Sequence, residues 1–201
     1  MNFLRKYNPF VVPFRDNRDL AYAAKHRAES GIAFHGGVTL DHFRGGKLIH
    51  TQTGSNIFTT EGRNYLLEVM FGVTSKAGAA IWYVGIFDQA VTPILTNTAA
   101  ACLGNAGTYG ECLDADYTPN TNKPVYTIAA AGSSICTNAA SPAVFTIVIA
   151  SNTICGAFLS NTALKTSNAG VLMCAKAFSP TRAVITADVL SVTYVITLTS
   201  S

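Results

Sequence analysis

Charge is scarce in this chain. Only 12% of its 201 residues are Asp, Glu, Lys or Arg, against 49% hydrophobic, and that is about half the charged share of an ordinary soluble domain. The surface must therefore be dressed with Thr, Ser, Asn and Gly, and part of it is expected to lie under other subunits. So many apolar residues argue against a disordered chain. Uninterrupted apolar runs of membrane-spanning length are missing too, so no transmembrane helix is expected. The opening Met-Asn-Phe-Leu-Arg-Lys lacks the apolar core of a signal peptide, and export by that route is not expected. Histidine does not occur after His50, which leaves the strand-rich remainder without an imidazole to serve a Ser or Cys nucleophile. No G-x-S-x-G elbow is present. The Gly104-x-x-Gly107-x-x-Gly110 spacing neither follows a clear strand nor opens a helix, so it is no phosphate loop. These absences together point away from an enzyme and from any cofactor.

Cysteine is present but poorly arranged for metal. No two of Cys102, Cys112, Cys136, Cys155 and Cys174 have C-x-x-C spacing, and no His accompanies them, so a zinc site is not expected. An odd count forbids complete internal pairing. Reduced structural thiols are the main expectation, with a Cys102–Cys112 disulfide in the Gly/Asn-rich loop as the alternative.

What charge there is lies unevenly. Residues 1–50 hold eight Lys or Arg against four Asp or Glu, and all four His. The first 32 residues read as an arm. Pro9 and Pro13 favour an extended course through residues 1–14, and Phe3, Tyr7, Phe10 and Phe14 would be costly to leave in water. With Arg15 and Arg18 they are candidate contacts to a partner. Asp16 to Ser30 reads as a short helix, capped by Asp16 and stopped at Gly31. A basic arm fits an acidic protein lattice or a nucleic acid, although no aromatic-and-basic RNA motif is present.

Residues 33–201 read as one mainly β domain. Its hub runs from Asn56 to Phe87. Thr59 or Thr60 caps a short helix, Glu61 suits its dipole, and Tyr65, Leu66, Val69 and Met70 repeat at helical spacing. Gly72 is expected as a left-handed stop. Ile81 to Phe87 then reads as a strand covered on both faces, so Tyr65, Leu66, Trp82, Tyr83 and Phe87 are the expected structural centre. Before the hub, period-two runs flank Arg44-Gly45-Gly46 as a hairpin. His42 and His50, on its two arms, are expected at a surface or interface. After the hub, residues 92–124 form a long irregular loop, a length that is usually functional or interfacial. Its Glu111, Asp114 and Asp116 read as solvated charges or a weak cation site. Strands are expected at Val125–Ala129, Ala143–Ile149, Thr153–Leu159, Val171–Phe178 and Val189–Thr199, with turns between them that include Ser179-Pro180. Regularly spaced short strands of this kind predict a β-sandwich or jelly roll.

Several motifs, in order, carry a resemblance: Gly36-Gly-Val38, Arg44-Gly-Gly-Lys47, Asn56-Ile-Phe-Thr-Thr-Glu-Gly-Arg-Asn-Tyr-Leu-Leu67, Trp82-Tyr-Val-Gly-Ile-Phe87, Asn138-Ala-Ala-Ser-Pro-Ala-Val-Phe145, Ile154-Cys-Gly-Ala-Phe-Leu-Ser160 and Leu190-Ser-Val-Thr-Tyr194. The chain thereby resembles a family of tailed-bacteriophage virion structural proteins over roughly residues 30–200. Members tend to show Arg-Pro after the acidic loop where this chain has Lys123-Pro124, and five Cys is high for the family. The resemblance implies a virion structural, head-decoration or fibre-like protein. Together with the residue reading, the leading expectation is a capsid decoration (cement) protein bound to the major capsid protein or neighbouring virion proteins, a homo-oligomer, with no nucleic acid or membrane required. A neck, head-to-tail connector or fibre-attachment protein is the alternative. A carbohydrate-binding host-surface module comes third.

Overall fold

The computed structural model describes residues 32–72, 82–119, 121–128 and 132–200. The expected arm, including its aromatic contacts, Arg15, Arg18 and the helix over 16–30, lies outside the described residues apart from the backbone of Ile32. Residues Phe34–Leu198 form one compact unit.

That unit is mainly β. The alternation before the Gly pair builds β1 (Ile32–Arg44), and β2 (Lys47–Ser55) returns antiparallel beside it. Gly45 and Gly46 take φ of 58° and 76°, the two successive positive values that a two-residue hairpin turn demands. Next come β3 (Ile57–Phe58) and α1 (Thr60–Phe71), then β4 (Tyr83–Phe87) and the short α2 (Ala99–Cys102). The remaining strands are β5 (Tyr117–Thr118), β6 (Ile135–Thr137), β7 (Ala143–Ile147), β8 (Ser151–Ser160), β9 (Leu172–Ile185) and β10 (Val189–Ser200). One six-stranded sheet has the order β2-β1-β10-β7-β5, with β6 also paired to β10; a four-stranded sheet has the order β3-β9-β8-β4. Every pairing with a described register is antiparallel.

Both sheets feed one core. Val38, Leu40, Phe145, Leu190, Val192 and Tyr194 of the first pack in the same cluster as Ile86, Ile154, Leu159, Met173 and Val184 of the second. A smaller cluster of Phe87, Ala99, Cys102, Leu103, Tyr109 and Phe158 lies beneath the long loop. Among the described residues no helix is long and apolar enough to cross a membrane.

The structure corrects four expectations. Ser179-Pro180 is not a turn: β9 runs through it. Ile154 pairs with Arg182 and Gly156 with Ala177, so the residues from Phe178 to Thr181 bulge opposite Cys155. A proline at a bulge withholds no hydrogen bond from the ladder. The chain reverses later, at Thr186-Ala187, where Ala187 has φ of 70°. The strand expected from Val125 reduces, in its described part, to a single bridge between Val125 and Tyr83. Gly72 does end α1, with its N–H donating to the Glu68 carbonyl, but at φ of −96° it is extended rather than left-handed. Finally, β5 and β6 arise in segments with no strand signal, three residues or fewer each.

Candidate functional site

The Thr59-Thr-Glu-Gly62 run explains why α1 sits where it does. Thr59 caps the helix by accepting from the Gly62 N–H at 3.0 Å, and its hydroxyl donates to the Leu172 carbonyl of β9. One oxygen of Glu61 accepts from Ala99 N at 2.9 Å and Leu172 N at 2.7 Å, tying α1 to α2 and β9. Gly62 lies flat on β9, since a Cβ there would meet the Met173 carbonyl oxygen at 2.5 Å. The helix is thus pinned by its first turn, and Tyr65, Leu66 and Val69 of its apolar stripe face a cavity while Met70 is exposed.

That cavity holds about 460 Å³. Tyr65, Leu66 and Val69 of α1 form one wall, Trp82 and Val125 to Ile128 another, and Leu159 and Met173 are contributed by the four-stranded sheet. Tyr65 and Trp82 meet edge to face, centroids 5.6 Å apart and planes at 84°. Among the described residues the lining contains no carboxylate, ammonium, guanidinium or imidazole. Its buried phenol, Tyr126, donates to the Cys136 carbonyl at 3.0 Å, and burial raises its pKa far above the usual range. What the described residues offer in the cavity is therefore apolar surface without charge.

The expected hub residues divide. Tyr65, Leu66 and Trp82 converge on the cavity and are only partly buried, so Trp82 is a wall residue rather than a core residue. Phe87 is fully buried in the smaller cluster, with its ring 4.8 Å from Tyr109. Tyr83 stays half-buried at the start of β4, across from Ser160.

The long loop is anchored by buried lysines, and here the sequence reading is overturned. Glu111 is not solvated: its side chain and that of Lys123 are both fully buried, with Nζ 2.7 Å from Oε1. Glu111 also accepts from Gly104 N at 2.8 Å, and Lys123 donates to the Leu164 carbonyl at 2.8 Å. Burial raises the Glu111 pKa and lowers that of Lys123, each against the pull of the other. Lys165 is buried too. It donates to the Tyr117 carbonyl at 2.9 Å and lies 3.5 Å from the centroid of the Tyr117 ring, with Asp114 at 3.6 Å. Asp114 is half-exposed, and Asp116 accepts from the Leu113 N–H within its own turn. Among the described residues no three His, Cys, Asp or Glu side chains converge as a metal site. The loop lies along the outer edge of β4: Val84 N donates to Pro124 O, Cys112 N to Ile86 O and Asp88 N to Gly110 O, at 2.9 to 3.0 Å.

His42 departs from expectation as well. The skipped residue Ile49 brings His42 opposite His50, yet His42 is fully buried. Its Nε2 lies 2.9 Å from Asp188, which Arg44 grips through two nitrogens at 2.8 and 2.7 Å. Arg182 Nη2 is 3.3 Å from His42 Nδ1. Because a guanidinium can only donate, Nδ1 must accept, and the ring is neutral with its proton on Nε2. Burial holds the His42 pKa below 6.5, while Asp188 pulls the other way. This cluster ties β1 to β9, hence the first sheet to the second. All five cysteines are free, Cys102 and Cys112 included.

No protein-family model, curated protein or solved structure matches this chain.

Proposed function

We propose that this chain is a non-enzymatic structural component of a tailed-bacteriophage virion, a decoration protein that binds and stabilises the major capsid shell. On this reading the two sheets form a β-sandwich of jelly-roll type, and the arm of residues 1–32 reaches neighbouring subunits. Its place is the virion, and its partners are the major capsid protein and further copies of itself.

The supporting observation is uncovered apolar surface on and beside α1. Leu67, Met70 and Phe71 are exposed, Phe71 by 78%, and Ile94 and Leu95 are about half exposed. Surface of this kind is characteristic of a protein that is finished by a neighbour. Weak contacts repeated around a closed lattice add up through multivalency, so no single contact need be strong.

The test uses particles. Deleting residues 1–14 should leave a soluble, folded body that no longer joins them. The chain's absence from purified particles, or unchanged incorporation of the truncated chain, would sink the attachment role. A copy number matching the capsid lattice supports decoration; the few copies of a portal-vertex ring would move the protein to the neck.

A further inference from the structure

We infer that β2 is a self-pairing edge, through which two copies of this chain join antiparallel into one continuous sheet. The other sheet edges are covered or very short. The outer edge of β4 is occupied by loop backbone from Gly110 to Tyr126. The edge strands β3 and β5 have two residues each, too short to template another chain. β2 ends the six-stranded sheet with nine residues, and among the described residues no strand pairs with its outer side. Alternate N–H and C=O groups along it point away from β1, the arrangement that recruits another strand.

Natural edges of this length are blunted by charge, proline or bulges. β2 has one charge, Lys47, beside the turn, and one irregularity, at Ile49. From His50 to Ser55 its register with β1 is regular and its side chains carry no formal charge with His neutral. The outer face of this hairpin is a hydroxyl-rich surface: Thr39 and Thr53 share a hydrogen bond of 3.0 Å, and Thr51 donates to Asp41 at 2.7 Å.

These features select a second copy as the occupant. Opposed residues in an antiparallel pair project to the same face, so a two-fold axis normal to the sheet must pass through a pair of like residues. An axis at Gln52 sets Thr51 against Thr53, a favourable cross-strand pair, and His50 against Gly54. It also carries the two Lys47 to opposite ends of the joint, so no like charges face each other. The contact is isologous and closes on itself. Six to nine residues a side make a small interface, so association of the isolated chain is weak and concentration-dependent.

The experiment is sedimentation velocity of the full chain over a wide concentration range, with amide hydrogen exchange at both ends of it. A reversible monomer–dimer equilibrium is expected, with exchange slowed at high concentration at alternate amides of His50–Ser55. Thr53→Lys should weaken association severalfold, because each new lysine then faces Thr51 of the other copy and the two like charges lie diagonally across the axis on one face of an edge that charge blunts. Thr53→Val should keep it, and circular dichroism establishes that both variants fold. A wild type that stays monomeric, or a dimer whose β2 exchange does not respond to concentration, overturns the proposal even if Thr53→Lys fails to fold. So does a dimer that the folded Thr53→Lys leaves unchanged.

Discussion

Lys123 and Glu111 show how little of a side chain's environment is written beside it. Both lie in a Gly- and Asn-rich stretch that reads as solvent-facing, yet each is buried against the other. The partner stands twelve residues away and the further acceptor, Leu164, forty-one, so no local pattern could announce the pair. Removing one member should hurt more than removing the pair. Lys123→Met strands a buried carboxylate and should cost about 3–5 kcal/mol in urea unfolding. Adding Glu111→Gln should recover a good part of that loss, because the remaining amide needs no counter-ion. A double variant no more stable than Lys123→Met would show that the lysine acts through its packing alone.

His42 gives a pH dependence with a definite sign. The folded ring is neutral and its pKa lies below 6.5, so in mildly acidic solution the unfolded chain takes up a proton that the folded chain refuses. Its contribution to stability is complete above about pH 6.5 and declines as pH falls toward the depressed native value. Asp188 adds the same trend lower down, since the Arg44 hydrogen bond holds its pKa well below 3.8. His42→Gln, which can still accept from Arg182 and donate to Asp188, should flatten the loss between about pH 7 and about pH 5 in urea titrations. An unchanged slope would assign the dependence to other groups. Two histidines flanking a Gly-Gly turn were plain in the sequence. The acid and the arginine that bury one of them come from more than a hundred residues away.

At the scale of elements, legibility follows the range of the cause. The β1–β2 hairpin and the start of α1 are set by turn glycines and a capping threonine that sit inside the segments they control, and both were readable. β5 and β6 are held by pairing to β7 and β10, so their own residues say nothing. Pro180 misled because the same residue suits a turn and a bulge, and only the partner strand distinguishes them. Gly62 is the sharper case. Inside an exposed helix, Gly→Ala would gain up to about 1 kcal/mol from propensity. Here the added methyl meets the Met173 backbone at 2.5 to 2.6 Å, and backbone cannot swing aside. Gly62→Ala should therefore lower stability by about 1–3 kcal/mol as overpacking, read as a reduced Tm; a raised Tm would show α1 free to lift from β9. Trp82→Ala, on a half-open cavity wall, should cost less than the ~3–5 kcal/mol of a fully buried aromatic.

For the molecule as a whole, cohesion comes from the shared core of the two sheets rather than from covalent staples. The regularly spaced short strands announced a mainly β protein, and the two antiparallel sheets bear out that coarse reading. How the sheets close on each other was not readable, because it depends on contacts such as Arg182 with His42. The thiols test this picture directly. All five are free, and Cys102, Cys112, Cys155 and Cys174 are buried while Cys136 is half-buried at the cavity. Burial raises the pKa of Cys112, Cys155 and Cys174, so they are protonated and slow to react even where reagent arrives. A thiol reagent should therefore modify the native protein slowly, with Cys136 first, and should find all five at once in denaturant. A reductant should leave the Tm unmoved. A stoichiometry of three in denaturant, rising to five only after reduction, would mean that a covalent link shares the work here given to the core.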